Sequence, residues 1–415
     1  MRLLLVSQYF WPESFGINAL VSALRGRNIE TTVLTGKPNY PDGKVFPGYS
    51  ASGTQCESYD GMEIFRLPLY PRGQGSSVRL ALNYASFIVA AFLLGPWLLR
   101  RRYFDAIFVF APSPLLQALP AIWLAWLKGI PVALWVQDLW PESLSATGFI
   151  KNRGVLKLVE KAVRFIYRHS DLILIPSEAF RLPIENLAAE PRKIKYLPNA
   201  YVEDQKSEAQ SPEVWKLVQD IARGFSVVFA GNLGTAQSLD TIVEAAEQLQ
   251  ITGAGIRIFL IGSGSQSDWV QEEITRRGLR NLVMPGRFPP EAMPIIYEAA
   301  SVLLVSLRDE PIFAYTIPSK VQGYMAAGKP VVASLNGEGA RLVVAAGAGL
   351  ACPAGKADAL VDALQQLFRL SPDKRAEIGE NARRYAMAHF SLDFLAAELA
   401  DGLRELSANR RGSNR

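Results

Sequence analysis

The chain has 415 residues, of which 49% are hydrophobic and 20% charged, and its 44 basic against 39 acidic residues leave a net charge of +5. This is a globular chain with core enough for two or three domains, and the composition excludes a disordered one. Two cysteines far apart in sequence, Cys56 and Cys352, exclude a disulfide framework and fit a reducing cytoplasm, while two histidines, His169 and His389, argue against a histidine-centred triad or a zinc site.

Met1–Ser7 is charged, then apolar, but too short for the hydrophobic region of a signal peptide; it reads as a buried first strand. Two series of short apolar strands alternating with helical patterns follow. The first has strands near 3–7, 31–34, 63–67, 106–110, 131–136, 172–175 and 194–196. The second begins at Phe225–Ala230 and continues near 256–261, 282–284, 302–307, 330–333 and 349–351. Apolar runs without alternation are strands covered on both faces, hence parallel sheets, and two series imply two doubly wound α/β domains. The expected boundaries are a first domain over 1–200, a polar linker over 201–223, a second domain over 224–390, a helix over 391–407 that crosses back to complete the first domain, and a mobile tail over 408–415.

Leu80–Leu99 has no charged residue and is long enough to span a bilayer. The strands before and after it belong to one sheet, which keeps both flanks on one side of any membrane. Arg66, Arg72, Arg79 and Arg100-Arg-Arg102 flank it. The expectation is a helix in the interface, residues 80–102 meeting a membrane surface, with a buried core helix as the alternative; 115–127, with Trp123 and Trp126, extends the apolar surface. The charge clustering fits an anionic membrane or a phosphate-bearing substrate better than nucleic acid.

Thr316–Ser334 reads as a loop, a short helix and a strand. Ser319 and Gln322 have capping-box spacing, which predicts a helix starting near Lys320, its N-terminal amides and the lysine suited to a phosphate. An αβ unit without a ligand explains the same pattern.

Five segments taken in order, Val6–Glu13, Thr35–Pro41, Val136–Ser143, Ala230–Gly234 and Pro318–Pro330, resemble the retaining GT-B glycosyltransferases of family 4, in particular the bacterial fucosyl and N-acetyl-fucosamine transferases of O-antigen and colanic-acid-type exopolysaccharide assembly. The resemblance implies two Rossmann-like domains facing across a cleft, a nucleotide-sugar donor (UDP-linked) on the second, a lipid-linked saccharide acceptor on the first, retention of anomeric configuration, and neither metal nor cofactor. It also implies a cytoplasmic enzyme, peripheral on the inner face of the plasma membrane. For the donor, Gly16, Gly231, Asn232, Gly234, Arg287, Ser319, Lys320 and Glu338 are the candidates, the glycines for close backbone approach and the cations for diphosphate charge. Glu338 has an equal claim as a helix-start residue. Asp138, Glu142 and Glu310 are the catalytic candidates; Glu13 and Trp140 are placed on the acceptor, Trp140 stacking on a sugar ring. The chain departs from the family pattern twice. The paired glutamates before the Met-Ala-x-Gly-x-Pro run fall on Tyr315 and Gly323, and the arginine and lysine after Gly231 fall on Asn232 and Ser238. A nucleotide-sugar epimerase on this scaffold and a non-catalytic nucleotide-sugar or membrane-binding subunit are the alternative functions.

Overall fold

In the computed structural model, residues 1–74, 77–146, 152–187, 190–201 and 211–413 are described; part of the expected linker, 202–210, lies outside them. The chain divides into two compact units, residues 1–200 together with those from 392 onward, and residues 201–391.

The first unit is built on strands β1 (Arg2–Val6), β2 (Glu30–Gly36), β3 (Gln55–Tyr59), β4 (Met62–Leu67), β5 (Ala106–Ala111), β6 (Val132–Val136), β7 (Leu172–Ile175) and β8 (Ile194–Tyr196). They run in the order β3-β4-β2-β1-β5-β6-β7-β8. All neighbours are parallel except β3, an antiparallel edge strand that apolar periodicity misses because its residues are alternately half-buried and exposed. Every residue of β5 and β6 is buried, which is why these strands read as continuous apolar runs. The helices are α1 (Gly16–Arg25), α2 (Ser77–Leu98), α3 (Ala118–Lys128), α4 (Glu142–Ala146), α5 (Arg153–His169) and α6 (Arg181–Asn186). Gly129, at φ 66°, ends α3, and the Asn152 side chain caps α5 by accepting from the amides of Gly154 and Val155.

The second unit has β9 (Phe225–Ala230), β10 (Ile256–Ile261), β11 (Leu282–Gly286), β12 (Val302–Ser306), β13 (Val331–Ser334) and β14 (Gly349–Cys352) in the order β11-β10-β9-β12-β13-β14, all parallel. Its helices are α7 (Pro212–Ile221), α8 (Leu239–Ile251), α9 (Ser267–Arg277), α10 (Met293–Ala299), α11 (Pro311–Ala314), α12 (Ser319–Ala326), α13 (Glu338–Ala345), α14 (Ala357–Arg369) and α15 (Pro372–Phe390). The second half of the expected linker is therefore a helix. Ser211 caps α7, Pro212 occupies its first position, and Val214, Leu217 and Ile221 enter the core. Asp220 then takes a two-pronged ion pair from Arg257, at 3.0 and 2.9 Å. The chain returns to the first unit through α16 (Leu392–Ser413), which buries Leu395, Leu399 and Leu403 against the face that α1 covers. This helix continues through 408–413, where a mobile tail is expected from the polar sequence.

Each sheet has one point where the strand order reverses, between β1 and β5 and between β9 and β12, and there the loops at the carboxyl ends of the strands diverge. Hydrogen bonds cross both points. Gln8 N donates to Gln117 Oε1 at 2.7 Å in the first unit, and Arg308 N donates to Ala236 O at 2.9 Å in the second. In the second unit three successive loops lie backbone on backbone: Gly231 N donates to Ile261 O, Leu233 N to Ser263 O and Gly262 N to Gly286 O, at 2.8 to 3.0 Å. Gly262 has φ 137°, and a Cβ on it would overlap the Gly231 carbonyl. Gly262→Ala should therefore lower stability by roughly 3 kcal/mol, read as a lower urea midpoint at unchanged denaturant slope.

Candidate functional site

In the second unit the reversal point lies beside an ammonium. Lys320, in the first turn of α12, crosses the ring of Phe229 with Nζ 3.6 Å from the centroid. A Cβ on Gly231 would collide with the Lys320 side chain, so the glycine, at φ 135°, is what lets this lysine lie against the loop. Lys320 has no ion pair with any described residue, and burial pushes its pKa down to about 7. Tyr324, one turn further on, fixes α12 to the end of β9. Its hydroxyl accepts from Ala230 N at 2.8 Å and donates to Ala230 O at 3.2 Å.

The neighbouring candidates stand on loops at the same edge of this sheet. Arg287 follows β11, is exposed, and makes no hydrogen bond or ion pair with a described residue. Asn232 packs against Gly234, where a Cβ would meet its side-chain amide nitrogen at 2.6 Å. Glu310 lies exposed before α11. Glu338 opens α13 and is held by Arg341, one turn on, so it pairs along its own helix. Ser319 is exposed at the first position of α12, and the expected capping box does not form: Pro318 is the N-cap, and both polar atoms of the Gln322 amide are buried without a partner among the described residues.

The first unit fills its reversal point with neutral amides. Asn83 of α2, fully buried, accepts from Gln8 Nε2 at 2.6 Å and donates to Tyr70 O at 2.7 Å and Asn39 Oδ1 at 3.3 Å. Glu13 is only 1% exposed, and its carboxylate accepts from the amides of Asn39 and Tyr40, each at 2.8 Å, and Phe10 at 3.3 Å. Burial pushes it up to about 7 in spite of those donors. The residue expected on the acceptor is thus an anchor that ties the β1–α1 loop to the β2–β3 loop. Buried Arg66 adds to the same anchorage by donating to Trp11 O and Gly36 O and pairing with Glu57. Gly16, the first residue of α1, faces open space where a Cβ would stand, so nothing in the fold requires a glycine there.

Asp138, at the end of β6, is half-buried, with a pKa raised by burial against the lowering effect of its hydrogen bonds. One of these comes from Trp140 Nε1, at 3.0 Å. Trp140 itself is 4% exposed. Its ring offers no face to a sugar, contrary to the stacking role expected, and serves to orient Asp138. Glu142 is exposed at the start of α4.

Sequence reasoning missed Asn83, Asn39, Gln117 and Tyr324. The signal for Asn83 is a lone amide at the centre of an uncharged apolar run; burying it requires partners. Gln117 and Tyr324 carry no such mark.

The chain matches the glycosyl transferase 4-like domain over residues 16–200 and the glycosyl transferases group 1 over residues 220–385. It is 23% identical over 354 residues to the Escherichia coli K12 protein WcaI, named as a colanic acid biosynthesis glycosyl transferase, covering 79% of this chain and 82% of that one. It is 25% identical over 313 residues to the Pseudomonas aeruginosa protein WbjE, named as a glycosyltransferase, covering 74% and 76% respectively. The crystal structure of Anabaena HepE in complex with UDP superposes with a TM-score of 0.69 at 17% identity, over 98% of this chain and all of that one. The fold is GT-B, and the chain is a glycosyltransferase with a 4-like domain followed by a group 1 domain.

An amine with a pKa near 7 is charged below that pH and neutral above it. Inorganic pyrophosphate, titrated calorimetrically, should bind best below pH 7 and weaken as pH rises through about 7, with net proton uptake visible as a buffer-dependent heat near pH 7.5. Lys320→Ala should abolish both the uptake and this pH dependence.

Proposed function

We propose that this enzyme is a retaining, metal-independent transferase that moves a hexose derivative from a UDP-sugar to a lipid-linked saccharide in bacterial surface polysaccharide assembly. The observation that carries this is the pair of cations on one edge of the second sheet, Lys320 against Gly231 and Arg287 on the loop after β11, each without an ion pair among the described residues. A departing diphosphate needs positive charge and amide donors, and here the chain supplies both itself. Support comes from the printed names of the relatives, which place WcaI in colanic acid biosynthesis, and from UDP on HepE.

In this reading Lys320, Arg287 and the amides of Gly231, Asn232 and Gly234, with the first turn of α12 at Ser319, hold the diphosphate. Glu310 contacts the donor sugar. Asp138, whose pKa burial raises, accepts a hydrogen bond from the acceptor and orients it; Glu142 follows at the start of α4. The acceptor oxygen attacks the anomeric carbon on the face from which the diphosphate departs. The new C–O bond forms as the old one breaks, and the hydroxyl proton passes to the leaving phosphate oxygen, so configuration is retained.

The acceptor's lipid brings the membrane into the reading. By length and composition α2 could cross a bilayer. Its flanking strands β4 and β5 share one sheet, however, and its inner face is buried through Asn83, Phe87, Ala91 and Gly95. The outer face is a stripe of exposed apolar side chains, Val78, Leu82, Val89, Leu93 and Trp97, spanning an arc of about 100° at 3.6 residues per turn. Trp123 and Trp126 of α3 and Leu158 of α5 add exposed apolar surface, and Arg100, lying over Trp97, and Arg101 stand at the end of α2. An apolar stripe edged by cations suits peripheral docking on an anionic leaflet.

UDP should raise the melting temperature of the parent, and Lys320→Ala and Arg287→Ala should remove that rise. Labelled UDP-sugar incubated with bacterial lipid extract should yield labelled lipid; an epimerised sugar, or binding with no transfer, would overturn the reading. Flotation with vesicles containing anionic lipid should carry the protein, and Leu93→Glu with Trp97→Glu should leave it at the bottom of the gradient.

A further inference from the structure

A cavity of about 690 Å³ opens in the first unit between the loop after β2 and the loop before α2. Volumes of this size hold small-molecule ligands. Its base is built rigidly. Gly73 N donates to Gly43 O and Gly43 N to Asn39 O, each at 2.8 Å. Both glycines have positive φ, 74° and 66°, and a Cβ on Gly43 would overlap the Gly73 backbone. One wall is fixed by the amide network already described, since Asn83 Nδ2 binds Tyr70 O and Ser86 Oγ accepts from Tyr70 N at 2.8 Å. The other is tied to the Glu13 anchor through Asn39, whose amide Glu13 accepts.

The lining has two chemistries. Val45, Ala51, Tyr70 and Pro71 give an apolar side, and Lys44 and Arg79 face the same space, opposed by one carboxylate, Asp42. Lys44 is exposed and makes no hydrogen bond or ion pair with a described residue. Arg79 is in the first turn of α2, between Val78 and the rest of the exposed apolar stripe. A ligand seated here meets cations and apolar surface together, and its further length has an apolar track along Val78 and Leu82.

We propose that this cavity is a subsite for a phosphate ester of a long apolar alcohol, the phosphate lying between Lys44 and Arg79 and the chain leaving over the outer face of α2. This rests on the reading of a lipid-linked acceptor. It adds that the lipid phosphate is held by the first unit's own cations, next to the loop that Glu13 anchors.

The test is calorimetric titration of the full chain, with UDP saturating the second unit's anion site, using farnesyl phosphate, farnesol and inorganic phosphate as separate probes. Farnesyl phosphate should bind at least tenfold more tightly than either of the others. Lys44→Glu alone should weaken it severalfold, and Lys44→Glu with Arg79→Glu by tenfold or more, with melting temperature and UDP-induced stabilisation unchanged. Parent-like binding by both variants would overturn the proposal. Farnesol binding as well as its phosphate would remove the cationic half, and inorganic phosphate binding as well would leave only a free-phosphate site. A parent chain that ignores UDP would sink the donor reading, while the response of the Lys44→Glu variant to farnesyl phosphate would still decide the cavity.

Discussion

An ammonium held without a counterion against the loop of a parallel sheet is the constraint from which the chemistry of this protein follows. Lys320 lies on Phe229 and Gly231, with the amine drawn from water and no carboxylate among the described residues paired with it. Such a group is costly until an anion arrives. The fold maintains it because other contacts specify the position. Tyr324 clamps α12 to both polar groups of Ala230, and the glycine loops after β9 and β10 pack too closely to shift. In the proposed reading the arrangement is a pre-formed place for negative charge, and preorganisation of this kind is where electrostatic catalysis gains most.

The two units share a topology and use it differently. In the first, the reversal point is closed by Gln8, Asn83, Gln117 and Asn39, whose amides largely satisfy one another, and by a carboxylate bound to backbone. Such a network gives shape and little charge. What it shapes is a pair of loops whose outer boundary is α2. Asn83 points inward from that helix, while Leu93 and Trp97, 71% and 59% exposed, point outward. One helix therefore carries both the fastening of the inner loops and the apolar outer face.

The strands were legible because both sheets are covered on both sides, which writes apolar runs into the sequence; the thirteen expected strands coincide with β1, β2 and β4 to β14, with the ends moved by a residue or two, although β8, Ile-Lys-Tyr, buries only its first residue. β3 was not legible, since an antiparallel edge strand with half-exposed residues carries no such run. α7 was hidden by its polar outer face and by the charged stretch before it, although Ser211-Pro212 is a start signal. In the site, the motif at 318–330 singles out Lys320 and the separate segment 230–234 singles out Gly231, and the structure sets the two side by side. Trp140 and Glu13 were misplaced for one reason: an aromatic or a carboxylate at the carboxyl edge of a strand looks the same in sequence whether it faces a ligand or turns back to hold its own loop. The Ser319–Gln322 spacing failed in a related way, because Pro318 took the cap and left the Gln322 amide buried.

The missing glutamate and the lowered lysine explain each other. Positions 320 and 323 of α12 are one turn apart, on neighbouring parts of the helix surface. A carboxylate at 323 would stand close enough to Lys320 to favour its proton and hold the amine charged at all neutral pH. The residue there is Gly323, beside which a Cβ would find only the Tyr201 ring, at 4.0 Å. Without that acid, the amine's proton is held only weakly in the free protein, and the negative charge that stabilises it has to come from the ligand. In the proposed reading, glycine at 323 is therefore more than a missing interaction. It moves the electrostatic balance of the site from an internal ion pair to one completed only when an anion binds, which couples binding to protonation of Lys320.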